Sequence, residues 1–380
     1  MTAATYISSF DKANYSRQGN FTNAEFDITY SEAALEVNAY GMSGLQAETP
    51  LDETMVQEIL SIDGVKSVEE LKNFGIRFDY PQQDEYDNDD MVYPLTGEEL
   101  ENIGKYIEEG SADYDKLMSG DYVLVADNTN VKEIYGWQFH VGDVLTFHYY
   151  DGKQMTEREV TILGLLNDQY TRDNSNLVGW FLMPEQAILN FVSFDTLNAN
   201  LLVSTEPEKE AAVGEALSQM VSERTELDMT TLADRKVADQ HSMNTIFGTI
   251  SGLAAFIMMF SILSMMNTLI TNIVTRKQEL AMLESIGMSK GQLGKMLLSE
   301  SLLLVLATVG VTMTIGTICG YGLSKMLYDM GAYYMAFKFP LVFALAYTVV
   351  LIAVPLIITF VSMKSFSKEA LVEWLRGAEC

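Results

Sequence analysis

Cysteine is scarce. The 380 residues contain two, Cys319 and Cys380, and none before position 319. A disulfide scaffold and a multi-cysteine zinc site are therefore excluded, and the first 240 or so residues must be held by a hydrophobic core, which that length permits. Basic residues are also few, 24 against 52 acidic ones, for a formal net charge of −28. Nucleic acid is excluded as a partner, because phosphate contacts need a basic surface. The three histidines, His140, His148 and His241, lie far apart without metal-ligand spacing. No G-x-S-x-G, H-E-x-x-H or EF-hand pattern is present, and the acidic stretch Gln82–Asp90 reads as a solvated loop. A phosphate-cradling P-loop is missing too. At its nearest approach, Gly294-Lys295, Ser289 stands where the first glycine belongs and Met296 where Ser or Thr belongs. No catalytic group, metal or cofactor is expected, and any ATP hydrolysis belongs to another subunit.

The most informative absence is that of charge over long runs. No Lys, Arg, Asp or Glu occurs in the 34 residues Ser242–Thr275, the 24 residues Ser301–Ser324 or the 25 residues Phe339–Met363. About 20 apolar residues cross a ~30 Å hydrocarbon layer, and a central charge costs roughly 2.5–3.5 kcal/mol on insertion scales. Three transmembrane helices follow, since a soluble core helix rarely stays apolar on every face for so long. The acidity sits elsewhere: residues 1–243 hold 45 acidic and 15 basic side chains, and the remainder 7 and 9.

Short loops set the orientation. Arg276, Lys277, Lys290 and Lys295 lie in one loop and Lys364, Lys368 and Arg376 in the tail, whereas the loop between the second and third spans has only Lys325 and Lys338. The first loop and the tail are thus cytoplasmic, and the acidic N-terminal part is extracytoplasmic. Met1–Asp11 does not have the basic start or the length of a signal peptide, so an upstream transmembrane helix is expected; the alternative is a leaderless chain of inverted topology.

The expected architecture is an α+β extracytoplasmic domain over 1–240 that ends in a stalk, followed by an all-α membrane domain. The latter divides into a transmembrane helix 241–275, a cytoplasmic coupling loop 276–296, a helix 297–324, a short outer loop 325–338, a helix 339–363 and a cytoplasmic tail 364–380. Within the outer part, strands are expected at Thr22–Val37, Val65–Val68, Ile76–Tyr80, Tyr122–Ala126, Val144–Tyr150 and Val160–Leu165. Helices are expected at Leu51–Leu60 with Asp52 as N-cap, at Leu95–Glu109 with a Thr96/Glu99 capping box, and at Glu208–Glu223. In the membrane, Asn267 can hydrogen-bond across helices, and the Gly316-x-x-x-Gly320 pair lets two helices approach closely.

The cytoplasmic loop, TRKQELAMLESIGMSKGQLGKMLLSE over 275–300, reads as a short amphipathic helix that ends at Gly287, with Ser289 capping the next. Leu280, Leu283 and Gly287 share one face, Glu279 lies at its edge and Glu284 points away. The stretch resembles the signature of FtsX-like permeases, the MacB-type membrane subunits of ABC transporters, at Arg276, Glu279, Leu280, Met282, Ile286, Gly287, Leu297 and Glu300. Glu284 departs from the arginine common in that pattern. The tail KEALVEWLR (368–376) and the hairpin 141–165 are similar to the family's ending and to its MacB-like periplasmic core.

The resemblance implies a plasma-membrane, non-catalytic subunit of four or more helices, the first of them missing here. It also implies a homodimer or a second permease half, membrane lipid around the helices, and a cytosolic ABC ATPase. That ATPase would push an ATPase-coupling surface made by Arg276, Glu279, Leu280, Leu283, Glu284, Ile286 and Gly287. Mechanotransmission, or export or extraction of a peptide, macrolide-like antibiotic or lipoprotein, is the implied activity. A membrane-anchored sensor or adhesin without an ATPase is the alternative.

Overall fold

The computed structural model describes residues 1–49, 51–79, 89–126, 128–174 and 179–366. Two units separate within the chain, Ser16–Val237 and a helical unit that joins Met1–Tyr15 to Ala238–Cys380. The division departs from a 1–240 domain at its amino end. Met1–Tyr15 holds a helix, α1 (Thr2–Ser9), whose small residues pack inside the helical unit instead of joining a sheet.

The Ser16–Val237 unit contains two sheets. One has the order β11-β1-β10-β2, from β1 (Phe26–Tyr30), β2 (Val65–Lys72), β10 (Asn198–Thr205) and β11 (Leu227–Thr231). The other has the order β5-β8-β6-β9-β4-β3-β7, from β3 (Phe74–Phe78), β4 (Asp89–Leu95), β5 (Ile107–Gly110), β6 (Tyr122–Val125), β7 (Val144–Tyr150), β8 (Met155–Leu166) and β9 (Phe181–Pro184). Because β8 also pairs with β7, this sheet closes on itself. Strand alternation then divides its side chains. Phe181 and Met183 of β9 join Phe74, Phe78, Phe147 and Ile162 in one core, and Leu182 joins Leu95, Leu124 and Leu163 in another.

The first sheet packs against α2 (Gly41–Glu48), α3 (Glu53–Leu60) and α4 (Glu210–Ser222), which bury Leu45, Met55, Ile59, Val213 and Leu217. Asp52 caps α3 by accepting from the Met55 N–H at 3.0 Å. Gln46 of α2 stitches the two sheets together. Its Nε2 donates to the carbonyls of Asn73 (3.0 Å) and Leu197 (2.8 Å), the two places where the chain passes from one sheet to the other.

Several elements differ from the sequence expectation. Thr22–Val37 is not one strand: after β1 the Ser31 hydroxyl accepts from the Ala34 N–H and starts a helix, Glu32–Val37, whose EAALEV sequence favours helix. The Thr96/Glu99 capping box forms, but its helix stops at Asn102. A 3₁₀ turn follows, and Ile107–Gly110 is drawn into β5 by pairing with β8. Of the acidic stretch, residues 82–88 lie outside the described residues, and Asp89 and Asp90 belong to β4.

Asp90 is partly buried there, and desolvation pushes its carboxyl up to about 6, against the pull of the Met91 and Trp180 N–H groups. The folded value lies above the ordinary 3.8, so the protonated form favours the fold. That contribution is fully present below about pH 4 and is lost as pH rises through 6. Asp90→Asn is therefore expected to raise the unfolding midpoint of the full chain at pH 8, with a gain in stability of no more than about 3 kcal/mol. At pH 4 the variant should match the wild type. Equal midpoints at both pH values would refute the assignment.

The unit is moored at Glu25. Its N–H donates to Val203 O, its carbonyl accepts from the Leu232 N–H, and its carboxylate accepts from Arg17 (2.9 Å) and from the Thr205 N–H (2.9 Å). Leu232 opens α5 (Leu232–Thr275), which runs unbroken from the end of β11 into the helical unit. That unit continues through α6 (Lys277–Ser285), α7 (Lys290–Asp329) and α8 (Leu341–Phe366). α5, α7 and α8 are each long and apolar enough to cross a membrane, and α5 and α7 extend well past the uncharged runs. Residues 367–380, with the end of the expected tail, lie outside the described residues.

Candidate functional site

The site is the turn between α5 and α7. Arg276 breaks the long helix at φ −97°, ψ 16°, and α6 starts from it. The Arg276 guanidinium forks between two carboxylates. Its Nε donates to Glu279 Oε2 at 2.9 Å and its Nη1 to Glu300 Oε2 at 2.7 Å. Glu279 lies one turn along α6 and Glu300 lies on α7, so one side chain ties both helices to the break. A planar guanidinium suits this task, since it offers two donors in fixed directions.

The far end of α6 is closed by backbone. Gly287 N–H donates to Glu284 O and Met288 N–H to Leu283 O, both at 3.1 Å, with Gly287 at φ +109°. This is a Schellman motif, and its left-handed position favours glycine. Ser289 and Gln292 then form a reciprocal capping box that starts α7.

Burial separates the sequence-nominated residues. Leu280 and Ala281 are buried. Leu280 joins Leu269, Ile273, Leu293, Leu297 and Ile358 in a core at the loop end of the helices, and Leu283 packs half-buried against it. Glu284 is half-buried and lies 3.8 Å from Lys290. Arg276 and Glu279 are spent on each other and on Glu300. The apolar side chains that α6 presents outward are Met282, 52% exposed, and Ile286, 84% exposed, one turn apart. Leu280 and Leu283 therefore form the inward face, not the outward one. Met282 was nominated only through a resemblance. Its spacing of four from Ile286 is the signal for that outward side, which a single apolar face at Leu280, Leu283 and Gly287 passes over.

The helix-packing residues are also placed. Gly316 and Gly320 lie under α1: a Cβ on Gly316 would collide with Met1, and one on Gly320 would sit 2.6 Å from Thr5 Cβ. Thr2 Oγ1 donates to Gly316 O at 3.3 Å, so α1 runs parallel to α7 with Thr2 beside Gly316 and Thr5 beside Gly320. At the end of α1, Phe10 meets Phe247 and Tyr334 with ring centroids 5.1 Å apart in each pair. Asn267 is exposed on α5. A groove of about 690 Å³ runs between α5, α7 and α8, lined by Phe256, Phe260, Leu304, Thr308, Tyr347 and Leu351.

Residues 251–371, which include the whole site, match the family model described as FtsX-like permease C-terminal. The C-terminal part of the chain is thus similar to the FtsX-like permeases. With its three long apolar helices the chain is a plasma-membrane protein, and its Lys/Arg bias sets the acidic N-terminal unit on the extracytoplasmic side. No curated protein matches the chain. Two solved structures are similar over the N-terminal part. One is the periplasmic region of MacB from Actinobacillus actinomycetemcomitans, at 12% identity and TM-score 0.33, covering 60% of this chain and 98% of that chain. The other is the extracellular domain of the noncanonic ABC-type transporter YknZ from Gram-positive bacteria, at 15% identity and TM-score 0.28, covering 55% and 99%.

Proposed function

We propose that this permease works as the membrane subunit of an ABC transporter driven by a separate cytosolic ATPase, which seats on α6. The supporting observation is the two-sided build of that helix. Leu280 and Ala281 are buried against the ends of the long helices, while Met282 and Ile286 project from a charged turn on the side that the Lys/Arg bias makes cytoplasmic. Two exposed apolar side chains on a short helix closed by a Schellman motif form a knob that a groove on a motor can grip.

A push on the knob would pass through the Arg276 fork into α7 and through the helix break into α5. Because α5 is one continuous helix up to Leu232, the displacement would reach the N-terminal unit as a movement of its base. Transmission of this kind needs no proton relay. A second permease copy, or another permease half, would cover the apolar flanks of α5 and α7. An extracytoplasmic peptide, antibiotic or lipoprotein is the substrate class that the resemblance implies.

Co-expression with the cognate ATPase tests the proposal. Ile286→Asp is expected to cut co-purification of the two by more than tenfold, as loss of a central anchor does, and Met282→Asp to weaken it less. The Ile286 variant should still insert in the membrane and keep its melting point, since the side chain is exposed. Leu283→Asp is a poor probe because it also wounds the core. A full complex with Ile286→Asp, or no ATPase partner for the wild type, would sink this reading and favour an anchored sensor or adhesin.

A further inference from the structure

A cavity of about 300 Å³ opens between the start of α3 and the turn that leads from α4 into β11. That volume suits a small ligand. Arg224, Glu226 and Leu227 line it on one side, and Thr49, Asp52 and Met55 on the other. Met55 and Leu227 are buried members of the core under the first sheet, so the lining has a fixed apolar part. The Thr49 side is braced by Tyr30. Its hydroxyl donates to Thr49 O at 3.2 Å and accepts the Leu51 N–H at 3.3 Å. Burial pushes that phenol up to about 12, so it remains a donor at any physiological pH.

The charged groups of the lining are left with unused capacity. Among the described residues, the Arg224 guanidinium makes one bond, from Nη2 to Glu58 Oε2 at 3.4 Å, and the rest of its donor fork is open. Asp52 uses Oδ1 to cap α3, accepting the Met55 N–H at 3.0 Å. Its Oδ2 and the Glu226 carboxylate have no partner among the described residues. An arginine fork matches a carboxylate with two parallel bonds, and free carboxylates receive an ammonium group. An anion alone is disfavoured here, because Asp52, Glu58 and Glu226 outnumber Arg224. A cation alone leaves the fork empty. A zwitterion satisfies both signs, and an apolar side chain on it covers Met55 and Leu227.

We propose that this cavity binds a free α-amino acid with an apolar side chain, its carboxylate on Arg224 and its ammonium between Asp52 and Glu226. A peptide does not meet the same demand, because an amide bond removes one of the two charges from the α-carbon and carries it to another residue. The proposal goes beyond ATPase seating at α6 and stands whether or not an ATPase drives the chain.

The test is calorimetry on the full chain in phosphatidylcholine nanodiscs, with empty nanodiscs as baseline and L-leucine, L-methionine and L-phenylalanine as probes. At least one is expected to bind with a dissociation constant below about 1 mM. For the tightest of them, the amide, which has no carboxylate, and the deaminated acid, which has no ammonium, should each bind about tenfold more weakly. Arg224→Gln should weaken the amino acid about tenfold and bring it level with its amide, while Arg224→Lys retains part of the affinity. Glu226→Gln should weaken it about three- to fivefold and leave the deaminated acid unaffected. Both side chains make at most a surface ion pair, so the variants should keep the wild-type melting point. Four results would each overturn the proposal: no binding of any probe up to about 10 mM; an Arg224→Gln affinity within twofold of wild type; the amide or the deaminated acid binding as tightly as the amino acid, which means apolar adsorption or attraction of one charge; and the matching dipeptide binding as tightly, which means a peptide site.

Discussion

Under the proposed mechanism, Arg276→Ala is expected to uncouple the two ends of the chain: a partner ATPase should still bind α6, yet ATP turnover should no longer alter the extracytoplasmic unit. The alanine removes the fork that ties α6 to α7 and leaves Glu279 and Glu300 as neighbouring like charges. Amide exchange over residues 277–285 should speed up several-fold, and a spin label or fluorophore on the N-terminal unit should stop responding to ATP. The two carboxylates should not behave alike. Glu300→Gln breaks the link between helices, whereas Glu279→Gln removes a local i,i+3 pair within one turn of α6. Arg276→Lys should fall between wild type and alanine, because an ammonium cannot reach both carboxylates with fixed donors. An alanine variant with unchanged exchange and full ATP response would remove the fork from the mechanism.

Phe181→Ala should carry the largest stability cost in the N-terminal unit. The ring is fully buried in the closed sheet and meets Phe78, Phe139 and Phe147 with centroids 5.2, 5.5 and 5.0 Å away. Truncating a buried phenylalanine costs about 3–5 kcal/mol, part of it for the cavity left behind. Denaturant unfolding followed by tryptophan emission would read the loss, since Trp137 packs in the same core. Phe181→Leu, which refills much of the space, should recover more than half. A cost below about 1 kcal/mol for the alanine variant would mean that the sheet is not closed as described.

Much of this was legible in the sequence where local chemistry decides structure. Asp52, Thr96 and Ser289 cap helices as their spacing requires, and uncharged runs mark the long helices. Legibility failed where a distant partner decides. Ile107–Gly110 continues a helical pattern but is claimed by β8. Met1–Ser9 gives no sign of its place until Gly316 and Gly320 supply the groove. On α6 the periodicity marks one face, Leu280, Leu283 and Gly287, whereas contact with the long helices buries Leu280 and leaves Met282 and Ile286 exposed. The candidate turn is thus legible by its signature, while which of its side chains are buried and which exposed depends on neighbours distant in sequence.

The mooring at Glu25 determines how the N-terminal unit bears tension. Leu232 continues the antiparallel ladder of β11 on β1 by one more bond, to the Glu25 carbonyl, just where α5 begins. Traction entering at Leu232 therefore strains a row of cross-strand bonds together, as in a lap joint, and does not peel them off in turn. The Arg17 and Thr205 bonds to the same carboxylate spread that traction to the incoming linker and to β10, so the sheet behaves as a handle.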